Sequence, residues 1–154
     1  MTDEELSVDA LSRTVSRADA GAIVIFCGVT REVDRLDYEA YREMACEKIT
    51  LIATDCVKRH GLAAAAIEHR VGHVRLGEAS VIVAVSGAHR EEAFAGAREA
   101  IDRVKADAPI WKREVDLDGT GRWVDGTEPQ PAPDPAANAA PSVLPASHGI
   151  TQAQ

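Results

Sequence analysis

The stretch Gly21-Ala-Ile-Val-Ile-Phe-Cys-Gly28 is an uninterrupted apolar run with β-branched residues at its centre. A short continuous run of this kind is typical of a strand that is buried on both faces. In front of it, Val8, Leu11, Val15 and Ala18 recur at helical spacing, and Ser7 is a residue type that caps helix N-termini. The chain is therefore predicted to begin with a short helix and a buried strand.

After this strand, the apolar period alternates between that of a strand and that of a helix. Gly61 supplies a stop for the first long helix, and Pro109 prevents the second from continuing. The turn sequence Asp118-Gly119-Thr120-Gly121 predicts a hairpin. Because helices and strands mix without strict βαβ alternation, the predicted fold class is α+β. The predicted helices are 42–60 and 91–106, and the predicted strands are 35–41, 65–71, 79–85, 110–117 and 121–124.

Each long helix carries an apolar stripe that is predicted to face the core. The stripe of the first helix consists of Met44, Ala45, Ile49, Ile52, Ala53, Cys56 and Val57. The stripe of the second helix consists of Ala93, Phe94, Ala97, Ile101 and Val104.

The composition changes sharply at residue 127. From there to residue 154 the chain holds six of its seven prolines and almost no large apolar side chains. Such a segment buries too little surface to offset the entropy lost on ordering, so it is predicted to be a disordered tail. Residues 5–126 are the predicted folded domain, and 127–154 the predicted tail.

The bulk properties exclude several classes of protein. With 25 acidic and 17 basic residues among 154, the chain lacks the basic surface that nucleic-acid binding requires, although a local basic pocket is still compatible with it. Its acidic start and short apolar runs are unlike a secretory signal or a membrane span, so a cytoplasmic location is expected. Cys27, Cys46 and Cys56 show no metal-binding or redox spacing and are predicted to be buried free thiols.

Two of the four lysines, Lys105 and Lys112, stand seven residues apart on either side of Pro109. The other thirteen basic residues are arginines, so a pair of lysines at one break in the structure is unusual for this chain. Lysine, unlike arginine, can lose its proton and act as acid, base or nucleophile. The pair is therefore a candidate catalytic centre. The alternatives are that Lys105 complements the helix dipole and that Lys112 is a solvated strand residue.

Three further cations lie where elements begin or end. His89 and Arg90 stand between a predicted strand and a helix N-terminus, a common place for groups that bind anions. Arg31 follows the end of the opening strand and could hold a phosphate through two hydrogen bonds. The alternatives are that His89 only caps the helix and that both arginines are solvated.

His69 and His73 are four residues apart, which on one strand would place them on the same face. No third ligand type is near them in sequence, so a structural role is favoured over a metal site. The glycine-rich motifs that bind nucleotides are absent from the sequence, and no cofactor is predicted.

Six blocks of the sequence, taken in order, resemble the large, catalytic subunit of molybdopterin synthase. They extend over nearly all of residues 20–124 and are most specific around the two lysines and His89. The blocks are Gly21-Ala22 with Phe26-Cys27-Gly28-x-x-Arg31; Leu36-x-Tyr38-Glu39-x-Tyr41-x-x-Met44-Ala45; His69-Arg70-Val71-Gly72 with Gly77-Glu78; Ala88-His89-Arg90-x-x-Ala93-Phe94; Lys105-x-x-x-Pro109-Ile110-Trp111-Lys112-x-Glu114; and Gly121-Arg122-Trp123-Val124.

The resemblance implies a single domain of the α/β-hammerhead type and a sulfurtransferase activity. The family converts cyclic pyranopterin monophosphate into the dithiolene molybdopterin, a step in molybdenum cofactor biosynthesis. Sulfur arrives as a thiocarboxylate on the C-terminus of a small ubiquitin-like subunit. The expected assembly is a heterotetramer built on a homodimer of large subunits.

The resemblance also implies roles for individual residues. Lys105 and Lys112 match the paired lysines of the family, with Lys105 expected beside the thiocarboxylate and Lys112 beside the pterin. Arg31, His89 and Arg90 match positions that bind the substrate and its phosphate. The loop after Arg31 is shorter here than in many family members.

Three other functions are compatible with the residues alone. One is a paralogue that keeps the small-subunit groove but lacks turnover because of the short loop. Another is an unrelated α+β enzyme that uses a lysine to form a Schiff base. A purely structural subunit of an oligomer would have no pocket that joins the lysines with Arg90.

Overall fold

The computed structural model describes residues 1–124 as three helices and seven strands. The predicted domain end at 126 and the predicted tail at 127–154 lie outside these residues. The elements are α1 (Val8–Val15), β1 (Ala22–Val29), β2 (Arg35–Ala40), α2 (Arg42–His60), β3 (Ala64–His69), β4 (Gly72–Arg75), β5 (Ala79–Gly87), α3 (Arg90–Asp107), β6 (Ile110–Val115) and β7 (Gly121–Trp123).

A three-stranded antiparallel sheet, in the order β1-β5-β3, forms the centre of the molecule. Alternate residues of each strand face opposite sides, so the sheet contributes to two apolar clusters. Val81, Val83 and Val85 of β5 pack with residues of α2 and α3. Ile82 and Ala84 of the same strand pack with residues of α1 on the other side. Strand β5 is therefore the strand buried on both faces.

A second antiparallel sheet, in the order β4-β2-β6-β7, stands beside the first. Strand β6 follows directly from α3, because Pro109 ends the helix and the preceding Ala108 is extended, with ψ of 132°. Strand β7 returns alongside β6 through the predicted turn. The predicted α+β class and the predicted hairpin are confirmed.

The predicted bounds of the two long helices agree with the structure to within about one residue, whereas α1 ends at Val15 and leaves out Ala18 of the predicted series. Ser7 caps α1 by accepting a hydrogen bond from the Ala10 N–H at 3.2 Å. Gly61 ends α2 in the left-handed conformation, with φ of 62°. Two stripe positions were wrong, since Met44 is 58% exposed and Phe94 is 63% exposed. Both belong to helices whose remaining stripe residues are buried or half-buried.

The opening strand is present, but the prediction that both its faces are buried was wrong. Strand β1 is an edge of the central sheet and pairs only with β5 among the described strands. Ile23 is 42% exposed and Val29 is 52% exposed. An apolar run indicates a strand, but it does not distinguish an edge strand from a central one, because the difference depends on pairing partners distant in sequence.

The sequence reasoning missed β4, a strand of four residues that pairs with β2. Arg70 and Val71 separate His69 at the end of β3 from His73 on β4, so the two histidines do not share one strand face. Residues 1–124 contain no group of three or more His, Cys, Asp or Glu side chains that could hold a metal. The chain also forms a β-bridge as early as Thr2, which pairs with Arg70 ahead of the predicted domain start at residue 5.

The cysteines are free, as predicted, but only Cys56 is buried. Cys27 lies on the edge strand and Cys46 on the outer side of α2, and both are exposed, so their predicted burial was wrong. Among residues 1–124, no helix is long and apolar enough to cross a membrane.

Candidate active site

A cavity of about 670 Å³ lies where the C-terminal end of α3 meets the two sheets. The four-stranded sheet contributes one wall, and the ends of β1, β3 and β5 contribute the other. Its charged and polar walls include Arg31, Tyr38, His69, Ser80, Lys105 and Lys112. Three of the five site residues expected from the sequence therefore line one cavity.

Lys105 lies in the last turn of α3, which ends at Asp107. Its Nζ atom is 5.8 Å from the centre of the Phe26 ring on β1, close enough for a cation–π attraction. The break before Pro109 stops the helix here and leaves the amine at the cavity. Lys105 is thus positioned by an aromatic ring as well as by the helix dipole.

Lys112 lies on β6 directly opposite Tyr38 of β2. Side chains at opposed positions of antiparallel strands point to the same face, so both contribute to the same cavity wall. Trp111, the preceding residue, packs edge-to-face on Tyr41 with ring centres 5.2 Å apart. Lys112 therefore lines a concave site and does not lie on a fully solvated strand face.

Arg31 follows β1 in a short loop whose first residue is held by backbone hydrogen bonds. The buried Thr30 donates its N–H to the Glu78 carbonyl at 3.0 Å and accepts the Gly77 N–H at 2.9 Å. After Arg31 the chain turns sharply, since Glu32 adopts a left-handed φ of 67°. Despite its shortness, the loop places Arg31 at the cavity, where its side chain is 81% exposed.

His89 and Arg90 lie at the opposite end of α3 and do not line the cavity. His89 is the N-cap residue of the helix, and its N–H donates to the Glu92 carboxylate. Fifteen residues separate Arg90 from Lys105, which at 1.5 Å per residue is about 22 Å along the helix axis. Within one chain these residues cannot contact the same small substrate as Lys105.

Three neutral polar residues of the inner wall, Tyr38, His69 and Ser80, were not among the expected site residues. The hydroxyl of Tyr38 is hydrogen-bonded to Ser80, which in turn donates to the Gly28 carbonyl at 3.2 Å. The Tyr38 ring meets the His69 ring edge-on, with centres 5.0 Å apart. Burial raises the pKa of Tyr38, so its hydroxyl stays protonated at neutral pH.

The imidazole of His69 is buried and neutral. Desolvation lowers its pKa to about 4, with a smaller lowering effect from the N-terminal ammonium. Its Nδ1 lies 2.7 Å from the Arg70 carbonyl oxygen, which can only accept, so Nδ1 carries the hydrogen. In a neutral ring, Nε2 is then an acceptor. The pair of histidines in the sequence drew attention to this residue, but only a structural role was expected for it.

The arrangement suits an anionic substrate that also carries neutral polar groups. Lys105, Lys112 and Arg31 bring three cations to one cavity of a chain whose net charge is −8. Cations near a site at which negative charge develops stabilise that charge, and a lysine can also transfer a proton. The inner wall supplies neutral polar groups for orienting the substrate.

Comparison with known proteins identifies close relatives. The chain matches the family model described as MoaE protein over residues 1–107. It is 41% identical over 129 residues to the molybdopterin synthase catalytic subunit of Thermoplasma volcanium, a match that covers 80% of this chain and 94% of the relative. The corresponding subunit of Bacillus subtilis is 37% identical over 130 residues, with 80% and 82% covered.

A solved structure shows the same fold. Molybdopterin synthase from Staphylococcus aureus superimposes with a TM-score of 0.75 at 31% identity, over 79% of this chain and 93% of that one. The resemblance seen in the sequence blocks and the predicted α+β single domain are confirmed by these matches.

Proposed function

The chain belongs to the MoaE protein family, and from that premise we propose that it catalyses the sulfur transfer of a molybdopterin synthase. The reaction converts cyclic pyranopterin monophosphate into the dithiolene molybdopterin, in molybdenum cofactor biosynthesis. The observation that carries the proposal is that Lys105, Lys112 and Arg31, distant in sequence, line one cavity.

The sulfur donor is the thiocarboxylated C-terminus of a small ubiquitin-like subunit. Its sulfur attacks a carbon of the pterin side chain, and the oxygen on that carbon takes up a proton and leaves as water. Hydrolysis of the resulting thioester then releases the small subunit as a carboxylate and leaves the sulfur on the pterin. Lys105, at the cavity and over the Phe26 ring, stabilises the negative charge of this step and supplies a proton. Lys112 holds the pterin and assists proton transfer. Arg31, at the mouth, binds the phosphate.

His89 and Arg90 contribute to the substrate site of a second copy of the chain. They lie about 22 Å from Lys105 along α3, so they cannot complete the site to which Lys105 belongs. In a homodimer with two-fold symmetry, each protomer can supply such a group to its partner's site. Two such protomers with two small subunits form the heterotetramer.

The protein acts in the cytoplasm. Cys27 and Cys46 are exposed and unpaired, which suits a reducing compartment, because exposed thiols are oxidised outside it. The alternative of a paralogue without turnover is not favoured. Both lysines line the cavity, and the short loop still delivers Arg31 to it.

Replacement of Lys105 tests the proposal. With thiocarboxylated small subunit and cyclic pyranopterin monophosphate, Lys105→Ala is expected to form molybdopterin about 10²–10⁴-fold more slowly, the usual loss for one proton-transfer group. The variant should bind the small subunit with an affinity close to that of the unmodified chain. Lys58→Ala, at an exposed lysine of α2, is the matched control and should retain full activity. Normal turnover by Lys105→Ala would refute the assignment.

A further inference from the structure

The three cations of the cavity recognise only part of the proposed substrate. Lysine and arginine side chains donate hydrogen bonds and cannot accept them, so Arg31, Lys105 and Lys112 suit a phosphate and developing negative charge. A pterin also presents ring N–H and amino groups, which are donors. A site that orients a pterin therefore needs acceptors as well.

The carboxylates of the cavity are paired with arginines. Glu114 accepts two bonds from Arg122, at 3.1 and 2.7 Å to the same oxygen. Glu32 is exposed at the rim and pairs with Arg31 at 3.4 Å. The Ser80 hydroxyl is used between Tyr38 and the Gly28 carbonyl.

His69 supplies a neutral acceptor on the inner wall. Its Nδ1–H is fixed on the Arg70 carbonyl, so the acceptor atom that is left is Nε2. Within residues 1–124, no protein group is hydrogen-bonded to Nε2. In this part of the chain, the only fully buried side-chain nitrogen or oxygen without a hydrogen-bond partner is Nε of Arg70. Nε2 of His69 also has no partner, so it is not fully buried and keeps access to the cavity. Its lowered pKa, about 4, keeps this atom unprotonated at neutral pH.

The position of His69 links it to the reacting groups. Its ring contacts Tyr38 edge-on, and Tyr38 lies opposite Lys112 on the adjacent strand. Tyr38, tied to Ser80, is itself held in place. A planar ring that lies along this wall would meet Lys112 at one edge and His69 at another.

We propose that His69 is a specificity-determining residue that accepts a hydrogen bond from a ring N–H or amino group of the pterin through Nε2. The inference rests on the proposed function, because it assigns a pterin to this cavity. It explains why an imidazole that no described ion pair uses is buried beside the substrate groups. It also divides the site into a cationic region for the phosphate and a neutral region for the ring.

Two substitutions distinguish the role of the acceptor atom Nε2 from that of the hydrogen bond between Nδ1 and the Arg70 carbonyl. In His69→Asn, the side-chain amide can still donate to the Arg70 carbonyl in place of Nδ1, but nothing replaces Nε2. In His69→Gln, the longer side chain places an amide oxygen near the position of Nε2. Both remove the titrating ring, so they form a matched pair.

The experiment measures the dissociation constant of cyclic pyranopterin monophosphate, and separately of inorganic phosphate, for the full chain and both variants. We expect His69→Asn to weaken pterin binding about tenfold, the effect of one net hydrogen bond, and His69→Gln to weaken it about threefold or less. Phosphate binding should not change. In spectra of ¹⁵N-histidine-labelled protein, the Nε2 resonance of His69 should move when the pterin is added.

The possible outcomes distinguish the two proposals. Unchanged pterin binding by His69→Asn would overturn the role of His69 and leave the proposed function intact. Equal losses of pterin and phosphate binding would show a structural role and would also overturn it. If the unmodified chain, assembled with its small subunit, does not bind the pterin, the proposed function itself fails.

Discussion

At the scale of single residues, Gly28 controls the environment of Lys105. A Cβ atom at this position would lie 2.8 Å from Cγ1 of Val81 and 3.3 Å from Cε1 of Phe26. The Phe26 ring would have to move, and that ring lies beneath the Lys105 amine. Gly28 therefore acts on the candidate catalytic amine without touching it.

Gly28→Ala is expected to lower the rate of molybdopterin formation by about tenfold or more, since small displacements of reacting groups cost large factors in rate. The control is Gly61→Ala at the end of α2, where no atom lies within 4 Å of the new Cβ but φ is 62°. It should lower the free energy of unfolding by about 1 kcal/mol without lowering the rate per folded molecule. Equal rates for both variants would contradict the role of Gly28.

The buried imidazole of His69 makes stability depend on pH. Its folded pKa of about 4 lies below the value near 6.5 of an unfolded histidine, so the unfolded chain binds the proton first as pH falls. The free energy of unfolding should therefore decrease between pH 6.5 and 4, by at most about 3 kcal/mol from this residue.

The measurement is chemical denaturation at a series of pH values. His69→Gln should flatten the curve most clearly between pH 6.5 and 5. Carboxylates with a lowered pKa, such as Glu99 beside His60, lose their contribution only at lower pH. An unchanged slope between pH 6.5 and 5 in His69→Gln would mean that another group causes the dependence.

Residue identity alone predicted part of this site. Lys105 and Lys112 stood out because lysine is rare in the chain, and the family blocks supplied their roles. His69 was noticed only as one of two spaced histidines. Its neutral state depends on burial by β2 and β5, and burial arises from tertiary packing that no local pattern of residues encodes.

At the scale of elements, one group of charges joins α2 to α3. Glu99 of α3 accepts from His60 at 2.7 Å, from Arg59 at 3.1 Å and from Arg103 at 3.4 Å. Arg103 also bonds Asp55 of α2 at 3.1 Å. The hydrogen bond from His60 lowers the pKa of Glu99 most, and the nearby arginines lower it further. The network fixes the position of α3, whose last turn carries Lys105.

Glu99→Gln is expected to lower the free energy of unfolding by about 1 kcal/mol at neutral pH, because a partly buried network of charges contributes more to stability than an isolated surface ion pair. Asp102→Asn is the matched control. It removes an exposed pair with Arg98 on the same helix and should cost about 0.5 kcal/mol or less. Thermal and urea unfolding measure both, and a loss in Glu99→Gln no larger than the control's would refute the role of the network.

The helices and strands themselves were easier to predict than the order in which the strands pair. Helix ends at Ser7, Gly61 and Pro109 follow from local chemistry, so both long helices were found almost to the residue. The order of strands was not available from such patterns. The run at β1 indicated a strand, yet its place at the edge of the sheet depends on pairing with β5, about 60 residues away in sequence. Strand β4 is too short to show a period.

At the scale of the whole molecule, the site residues predicted from the sequence fall into two groups. Arg31, Lys105 and Lys112 line the cavity, whereas His89 and Arg90 lie about 22 Å away at the other end of α3. In the sequence, these five residues are grouped only because all of them match positions of the same family. Their separation in one chain is a property of the folded molecule, and it is the reason for the proposal that two protomers share each site.

Mixing two inactive variants tests whether sites are shared between protomers. Homodimers of Lys105→Ala lack the amine at both sites, and homodimers of Arg90→Ala lack the guanidinium at both. In a mixed dimer, if each site combines Lys105 of one protomer with Arg90 of the other, one site is complete and the other lacks both groups. Two-fold symmetry then predicts that purified mixed dimers have about half of the unmodified activity.

The rival arrangement gives a different result in the same assay. If Lys105 and Arg90 of the same chain served one site, neither site of the mixed dimer would be complete, and its activity would stay at the level of the variants. Co-expression with two different affinity tags isolates the mixed dimers, and a mixed dimer of unmodified chain with Lys105→Ala provides the reference for one active site. Because α3 holds the two groups at opposite ends, we expect the mixed dimer of the two variants to match that reference.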